Sequence, residues 1–324
     1  MSETGPPSTP YPRVVVVGTR RRHQGLGYHL CRFLHAAGAE VVGIVGTSDE
    51  TLTEALVALA RIGLGPATGT DADGLLRMLQ PDALVIASPS ATHDQYLQLG
   101  LDHGLHVLCE KPLCWGGQDV AARAQAYVQA YAERGLHLVV NTQWPYTLDA
   151  WRTLFPGVLE GRPERFWMVL SPNSAGEKML PDALPHALSL LLAVLPHAAP
   201  LVEEVRIDGA SPRAENLQIG FTYRAGPRSV QATVDLRQGA SQPREAGYGF
   251  DGRVAARRVD LADYRLWLEG DGRTVALPDP TPRLVRSFVR RVSSSAAPVV
   301  DPNAWPGMAL LETIHTAWPH AKTS

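Results

Sequence analysis

Residues 105–113 read LHVLCEKPL, an apolar run that leads directly into an acid, a base and a proline. A short run rich in Val and Leu is typical of a strand buried in a parallel sheet. Open α/β sheets bind their ligands at the carboxyl ends of such strands. The sequence therefore predicts that Glu110 and Lys111 lie at the mouth of a ligand site. The alternative is an ordinary strand end that carries a surface ion pair.

The EKP tripeptide (Glu110, Lys111 and Pro112) carries chemistry that suits a small molecule. The Glu110 carboxylate offers two acceptor oxygens that can hold a diol such as a ribose. The Lys111 ammonium supplies a positive charge and, if burial or a neighbouring cation lowers its pKa, a transferable proton. Pro112 restricts the backbone, and a cis bond before it would direct the lysine side chain inward.

Composition narrows the class of protein. The chain has 324 residues, of which 45% are hydrophobic and 19% charged, as expected for about two soluble domains. A formal net charge of -2 gives no electrostatic reason to expect a nucleic-acid or anionic membrane partner. No stretch approaches the ~20 apolar residues that span a bilayer, and the first residues lack a signal-peptide pattern. We therefore expect a cytoplasmic protein.

The cysteines suggest no metal site. Cys31, Cys109 and Cys114 form neither an even disulfide framework nor a close-spaced set of zinc ligands. We expect them to be small, buried hydrophobic residues.

The order of predicted elements divides the chain at about residue 140. Residues 1–140 alternate apolar strands with helical spacing, which predicts an α/β domain with a doubly wound sheet. Residues 141–324 consist mainly of successive strands, which favours an α+β domain with an antiparallel sheet. The predicted strands are 13–17, 41–45, 83–88, 106–109, 136–141, 164–171, 202–209, 215–224, 229–236, 254–260 and 263–277. The predicted helices are 27–37, 52–63, 72–79, 93–103, 117–134, 182–195, 281–293 and 303–318.

The loop after the first strand, residues 18–27, reads GTRRRHQGLG. A glycine-bearing turn between a first strand and a first helix is where a dinucleotide pyrophosphate rests. The spacing differs from G-x-G-x-x-G, because an arginine and a histidine stand where the second and third glycines would fall. The alternative is a solvated basic loop. The candidate phosphate-binding residues are Gly18, Thr19, Arg20, Arg21, Gly25 and Gly27.

The residues after the second strand bear on the choice of nicotinamide cofactor. An acid there binds the adenosine ribose of NAD, whereas hydroxyl residues beside an arginine suit the 2′-phosphate of NADP. Thr47 and Ser48, together with Arg20 or Arg21, favour NADP over NAD. Asp49 serves NAD if the strand ends one or two residues later.

Two further segments follow predicted strands of the first domain. Ser88 and Pro89 make a turn next to the expected cofactor, and His93 either contacts the cofactor or merely occupies the first turn of a helix. Amide and aromatic side chains then follow the last strand, where they suit a polyhydroxylated ligand or form a packed hinge. These candidate substrate-binding residues are Asn141, Gln143, Trp144 and Tyr146.

In the second domain, Asp182 and His186 stand four residues apart on one face of a predicted helix. Their neighbours are almost all apolar, so the pair must be satisfied by each other, by a ligand or by water. A carboxylate beside an imidazole suits acid/base catalysis near neutral pH. The alternative is an aspartate that caps its own helix and a histidine satisfied in the core.

These motifs, in this order, resemble the Gfo/Idh/MocA (glucose-fructose oxidoreductase-like) oxidoreductases. The resemblance rests on the glycine loop, residues 88–93, the LCEKPL segment and the Asp182/His186 pair, with residues 309–314 similar to the closing helix of the family. It implies an N-terminal Rossmann domain that binds NAD or NADP. It also implies a C-terminal domain with a large, open antiparallel sheet, which forms the substrate site and often an oligomer interface.

The resemblance also implies roles for individual residues. Lys111 would contact both nicotinamide ribose and substrate, Glu110 would hold a ribose hydroxyl, and Pro112 would be cis. His186 would be the acid/base, with Asp182 in contact with substrate. The C-terminal helix is a candidate to pack back on the first domain, and a homo-oligomer, dimer or tetramer, is expected.

The hypothesis that follows is an NAD(P)-dependent oxidoreductase. It would transfer a hydride between nicotinamide and a carbonyl or hydroxyl carbon of a sugar-like or other small metabolite. Two alternatives keep the same fold. One is a non-redox cyclase, lyase or isomerase, and the other is a catalytically silent binding protein.

Overall fold

The computed structural model describes residues 11–19, 26–239, 241–294 and 297–319. The chain divides into two compact units. The first takes described residues from Met1–Gly116, Gln125–Asn141 and Thr281–Asp301. The second takes those from Gly117–Ala124, Thr142–Pro280 and Pro302–Ser324. The chain passes from the first unit to the second between residues 141 and 142, next to the boundary at about residue 140 that the sequence predicts.

The first unit is built on a six-stranded parallel sheet. Its strands are β1 (Arg13–Val17), β2 (Glu40–Val45), β3 (Ala67–Gly69), β4 (Ala83–Ile86), β5 (His106–Cys109) and β6 (Leu138–Val140). Their order in the sheet is β3-β2-β1-β4-β5-β6. Because β1 lies between β2 and β4, the winding reverses at β1. That position is the switch point at which doubly wound sheets bind dinucleotides.

Helices accompany this sheet along the chain. They are α1 (Leu26–Ala36), α2 (Asp49–Ala60), α3 (Ala72–Leu79), α4 (His93–Asp102), α5 (Val120–Glu133) and, much later, α8 (Pro280–Val292). Helix α5 begins in the second unit and continues in the first. The central strands are apolar because they are buried on both faces, as the fully buried β4 shows. The predicted doubly wound α/β domain is confirmed.

The second unit contains an eight-stranded sheet. Its strands are β7 (Arg165–Leu170), β8 (Leu201–Asp208), β9 (Asn216–Ala225), β10 (Arg228–Arg237), β11 (Ala246–Phe250), β12 (Arg253–Asp260), β13 (Arg265–Gly270) and β14 (Arg273–Leu277). Their order is β14-β13-β12-β11-β7-β10-β9-β8. Neighbouring strands are antiparallel except β7 and β10, which pair in parallel. A large, mostly antiparallel sheet is thus confirmed.

Three helices complete the second unit: α6 (Leu148–Leu154), α7 (Met179–Val194) and α9 (Ala304–Thr316). Helix α7 packs on β10, and α9 packs on α7. The Glu312 carboxylate of α9 accepts hydrogen bonds from the amides of Val120 and Ala121, at 2.7 and 3.3 Å, and so caps the N-terminus of α5. An acid at this position also interacts favourably with the helix dipole.

Several elements differ from the sequence-based expectation. Strand β3 has only three residues, too few for a periodic signal, and β11 alternates with Gly247 and Gly249. A Cβ at Gly249 would collide with the backbone of β12, so close approach of the two strands requires glycine there. The predicted strand 263–277 is a hairpin, because Asp271 and Gly272 both adopt positive φ and turn the chain. Helix α6 was not predicted, and α7 begins three residues earlier than expected.

Candidate active site

The turn between β1 and α1 brings backbone segments unusually close together. Gly18 has a φ of +87°, and a Cβ there would lie 2.6 Å from the amide nitrogen of Ser88. A Cβ on Gly27, in the first turn of α1, would collide with the carbonyl of Gly18. This tight approach of a helix N-terminus to the ends of β1 and β4 is the geometry that holds a pyrophosphate. Thr19 is buried beside it, whereas Arg20, Arg21 and Gly25 lie outside the described residues.

Of the two hydroxyl residues after β2, one caps a helix and the other is exposed. Ser48 is the N-cap of α2, where its hydroxyl accepts from the Thr51 amide at 3.3 Å in a capping box. Thr47 is exposed in the loop before it, and Asp49 is the first residue of α2. The side chain most available to a ribose or a 2′-phosphate is therefore that of Thr47.

His93 links the loop after β4 to the EKP tripeptide. Its ring is fully buried, with Nδ1 2.8 Å from the Pro112 carbonyl oxygen and Nε2 2.9 Å from the Ser88 carbonyl oxygen. Ser88 also accepts a hydrogen bond from the Thr92 hydroxyl at 2.7 Å, and the exposed Pro89 precedes this turn. His93 thus positions two candidate cofactor-binding segments.

Burial lowers the pKa of His93, while the carbonyl oxygens of Ser88, Pro112 and Leu113 oppose that shift. The neutral ring predominates in this setting. A neutral imidazole donates one hydrogen bond, so the ring holds one carbonyl strongly at a time.

The EKP tripeptide is anchored by the strands on both sides of β5. The Glu110 amide donates to the Ile86 carbonyl at 2.8 Å, and the Asn141 amide donates to the Cys109 carbonyl at 2.8 Å. The Asn141 side-chain amide also donates to Oε1 of Glu110. The Lys111–Pro112 peptide bond is cis, as the family resemblance implies.

The surroundings of Glu110 keep its carboxyl partly desolvated. Burial raises its pKa, and Lys111 and Asn141 oppose the shift. Asn141 itself is buried, and its Oδ1 has no hydrogen-bond partner among the described residues. An acceptor left in this state is suited to a hydroxyl donor from a ligand.

Cys31, Cys109 and Cys114 are all buried, as expected.

In the second unit, Asp182 and His186 lie on one face of α7, four residues apart, and both are half-buried. Asp182 Oδ2 accepts a hydrogen bond from the Ser174 hydroxyl at 2.9 Å. Asp182 is the fourth residue of the helix rather than its cap. Both side chains are therefore accessible enough to exchange a proton with a ligand.

An aromatic group in the second unit adjoins His186. The Trp144 ring centroid is 6.1 Å from that of His186 and 5.8 Å from that of Tyr248. Tyr248 shares a 2.8 Å hydrogen bond with Thr147. Trp144 and Tyr146 form a short 3-10 turn that Gln143 precedes. The second unit thus brings Trp144 and His186 together.

Two residues of this unit that the sequence did not single out are Arg257, beside this aromatic group, and Arg244, which acts electrostatically on Arg257. The guanidinium carbon of Arg257 lies 5.4 Å from the Trp144 ring centroid. A signal was present in the sequence, because alternation along 254–260 places Arg257 in register with the apolar Ala255. An arginine that shares a strand face with buried apolar residues indicates a special role, because charged side chains are rarely buried without partners.

A family model described as an oxidoreductase family with an NAD-binding Rossmann fold, Gfo/Idh/MocA, matches residues 12–142. The first unit is therefore similar to the NAD-binding domain of that family. The match covers the parallel sheet and the EKP tripeptide, and it confirms the resemblance stated from the motifs. That part of the chain is accordingly an NAD-binding Rossmann domain of the kind found in these oxidoreductases.

The chain is also similar to individual proteins of known activity. It is 27% identical over 289 residues to D-apiose dehydrogenase from Paraburkholderia graminis, covering 80% of this chain and 72% of that protein. A solved UDP-N-acetylglucosamine 3-dehydrogenase from Acidithiobacillus ferrooxidans superposes with a TM-score of 0.69 at 21% identity, covering 95% of this chain and 97% of that one. A 3-ketoreductase from Actinomadura kijaniata, solved with TDP-benzene and NADP, gives 0.71 at 20% identity, covering 94% and 97%. The two structures share the fold of this chain.

The close approach at Gly27 leads to a first prediction. Gly27→Ala places a methyl group against the Gly18 carbonyl, so the turn must open. We expect a lower Tm and NAD(P)H binding at least ~10-fold weaker, because the helix N-terminus moves away from the phosphates. Thermal unfolding and fluorescence titration measure both effects. Gly65→Ala is the control, since a Cβ there meets nothing within 4 Å. Equal affinities of the two variants would contradict the phosphate-binding role.

The buried His93 leads to a second prediction. Its pKa lies below 6.5 in the folded protein, so below that pH the unfolded chain binds more protons than the folded one. Stability therefore falls as the pH drops below 6.5. His106 and His137 shift in the same direction, and the raised pKa of Glu110 acts in the opposite one.

The comparison of variants isolates the contribution of His93. Between pH 7.5 and 5.5, we expect His93→Gln to lose less free energy of unfolding than the wild type, as measured by urea denaturation. The exposed His35→Gln should follow the wild type. A pH dependence that is identical in all three proteins would show that His93 is not held neutral.

Proposed function

We propose that this chain transfers a hydride between a nicotinamide cofactor and a carbon that bears a hydroxyl or carbonyl group on a sugar-like metabolite. The observation that supports this most directly is the anchored EKP tripeptide. Its acid and base stand at the end of β5 and are tied to β4, β6 and His93, in a sheet whose switch point carries the glycine turn. This arrangement offers a glycine turn for the pyrophosphate of a dinucleotide and a carboxylate for its ribose.

Residues of the first unit bind and orient the cofactor in this proposal. The backbone at Gly18, Thr19 and Gly27 receives the pyrophosphate, and Glu110 accepts from a ribose hydroxyl. When bound, the nicotinamide supplies the hydride acceptor or donor. Asn141 holds the Glu110 carboxylate in place and leaves its own Oδ1 for a hydroxyl donor.

The chain must also handle a proton, because oxidation of an alcohol releases the hydroxyl proton together with the hydride. We assign the base to His186, whose ring takes that proton in oxidation and returns it in reduction. Lys111 donates a hydrogen bond to the reacting oxygen and stabilises negative charge on it. Asp182, on the same face of α7 as His186, contacts substrate.

Polar and aromatic side chains complete the proposed substrate site. Gln143 supplies amide donors and acceptors for sugar hydroxyls, and Trp144 and Tyr146 supply apolar faces for a sugar ring. A cytoplasmic homo-oligomer, dimer or tetramer, is part of the same proposal by family resemblance. The sugar-active relatives support the substrate class.

We further propose a preference for NADP over NAD. Glycine and two hydroxyl residues follow β2, and the first acid, Asp49, already lies in α2. An exposed Thr47 leaves space and a donor for a 2′-phosphate, whereas a carboxylate there would repel it.

Replacement of the proposed catalytic side chains gives a third prediction. Lys111→Ala and His186→Ala should each lower kcat/KM at least ~100-fold, the scale of lost acid/base and electrostatic catalysis. Turnover is measured by nicotinamide absorbance on a panel of aldoses, cyclitols, sugar acids and sugar phosphates. Lys178→Ala and His197→Ala replace exposed residues of the same types and should leave turnover unchanged.

The outcomes separate the competing functions. Unchanged turnover in both active-site variants would overturn the roles assigned to Lys111 and His186. An intact wild-type fold that binds neither NADPH nor NADH in a fluorescence titration would favour the non-redox alternative. Bound cofactor without turnover of any substrate would favour a silent binding protein.

The cofactor preference gives a fourth prediction. Wild-type protein should bind NADPH more tightly than NADH. Thr47→Asp should shift the ratio of the two Kd values at least ~10-fold toward NADH, because its carboxylate repels a 2′-phosphate and accepts from ribose hydroxyls. Thr53→Asp adds the same charge at an exposed position on α2 and serves as the control. An unchanged ratio in Thr47→Asp would refute the role of Thr47.

A further inference from the structure

Arg257 stands on the apolar face of the second unit's sheet. In the strand register, Tyr248 pairs with Ala255, and Arg257 pairs with Leu268. Residues that alternate along β12 share a face, so Arg257 lies on the side of Ala255, Tyr248 and Leu268, all of which are buried. An aliphatic side chain would suit this position better than a cation.

One nitrogen of the Arg257 guanidinium lacks the hydrogen-bond partner that a buried donor needs. The guanidinium lies over the Trp144 ring, 5.4 Å from the centroid, and its Nε is buried without a hydrogen-bond partner among the described residues. The adjacent Arg258, on the opposite face, instead binds Glu269 at 2.8 Å. Burial of a donor without a partner is costly, and contact of the cation with an aromatic ring offsets only part of that cost.

A second arginine is close to the first. Gly247 pairs with Ala256, so the loop before β11 reaches the end of β12 that carries Arg257. In that loop, Nε of Arg244 is likewise buried without a partner in the described part of the chain. Burial lowers the pKa of Arg257 most and Arg244 adds to this, while Tyr264 and Asp279 oppose it. The guanidinium remains protonated at neutral pH, because its intrinsic pKa is so high.

We propose that Arg257 and Arg244 bind an oxyanion of the substrate, a carboxylate or a phosphoryl group, beside Trp144. The inference rests on the proposed function, since the Trp144 ring also lies 6.1 Å from the ring of His186, the proposed acid/base. Guanidinium groups bind both kinds of oxyanion through paired N–H donors. The substrate is then a sugar acid or a sugar phosphate rather than a neutral sugar.

Stability distinguishes a ligand-binding role from a structural one. An arginine that holds the fold together is needed for folding, so its loss lowers the Tm. An unpaired cation kept for a ligand destabilises the free protein, and an apolar residue of similar volume is neutral or stabilising in its place. Arg257→Leu should therefore have a Tm equal to or above that of the wild type.

The test is calorimetric titration with matched probes: D-glucose, D-glucuronate and D-glucose 6-phosphate, each with NADPH present in a phosphate-free buffer. We expect at least one anion to bind at least ~30-fold more tightly than D-glucose, the scale of a desolvated charge pair. Arg257→Leu should abolish that difference, and Arg244→Leu should reduce it. Arg258→Leu, one residue away on the other face, should retain it.

The results have distinct meanings. The preferred anion tells carboxylate from phosphoryl recognition. Equal binding of all three probes, no binding of either anion, or an anion preference that survives in Arg257→Leu overturns the inference. So does a lower Tm in Arg257→Leu than in Arg258→Leu. Absence of NADPH and NADH binding in the wild type would instead refute the proposed function, and the two failures are therefore distinguishable.

Discussion

The carbonyl and amide groups that follow β5 are held by hydrogen bonds from both neighbouring strands. Glu110 donates to β4, Cys109 accepts from the residue after β6, and the Pro112 carbonyl lies at the buried ring of His93. Each bond contributes about 1 kcal/mol, and none would form without the parallel sheet that brings the three strand ends together. The orientation of Lys111 depends on these bonds, because its neighbours on both sides are anchored.

The same constraint gives His93 a positioning role between two strand ends. His93 is the first residue of α4. Its two partners, the carbonyls of Ser88 and Pro112, belong to segments that precede and follow it in the chain. The buried imidazole lies between a carbonyl of the loop after β4 and one of the segment after β5, and in its neutral form it donates a hydrogen bond to one of them. These are the loops that border a dinucleotide in a doubly wound sheet.

The second unit is organised around one apolar face of its sheet. Helix α7 and aromatic side chains, among them Trp144 and Tyr248, cover that face. On that face Arg257 is an exception to the pattern. A local rule is broken there with only partial compensation from the Trp144 ring, which is typical of positions that serve binding rather than folding.

The sequence by itself determined the fold class, the EKP tripeptide and the spacing of Asp182 and His186, because these depend on residue type and periodicity over a few positions. The edge strand β3, the glycine-containing β11 and the hairpin at Asp271 required the tertiary structure, since each depends on pairing with a distant segment. So did the contacts of His93, the hydrogen bond between Asn141 and Glu110, and the unpartnered Nε of Arg257. Burial and hydrogen-bond partners are properties of contacts between residues far apart in the chain, and only the folded structure decides them.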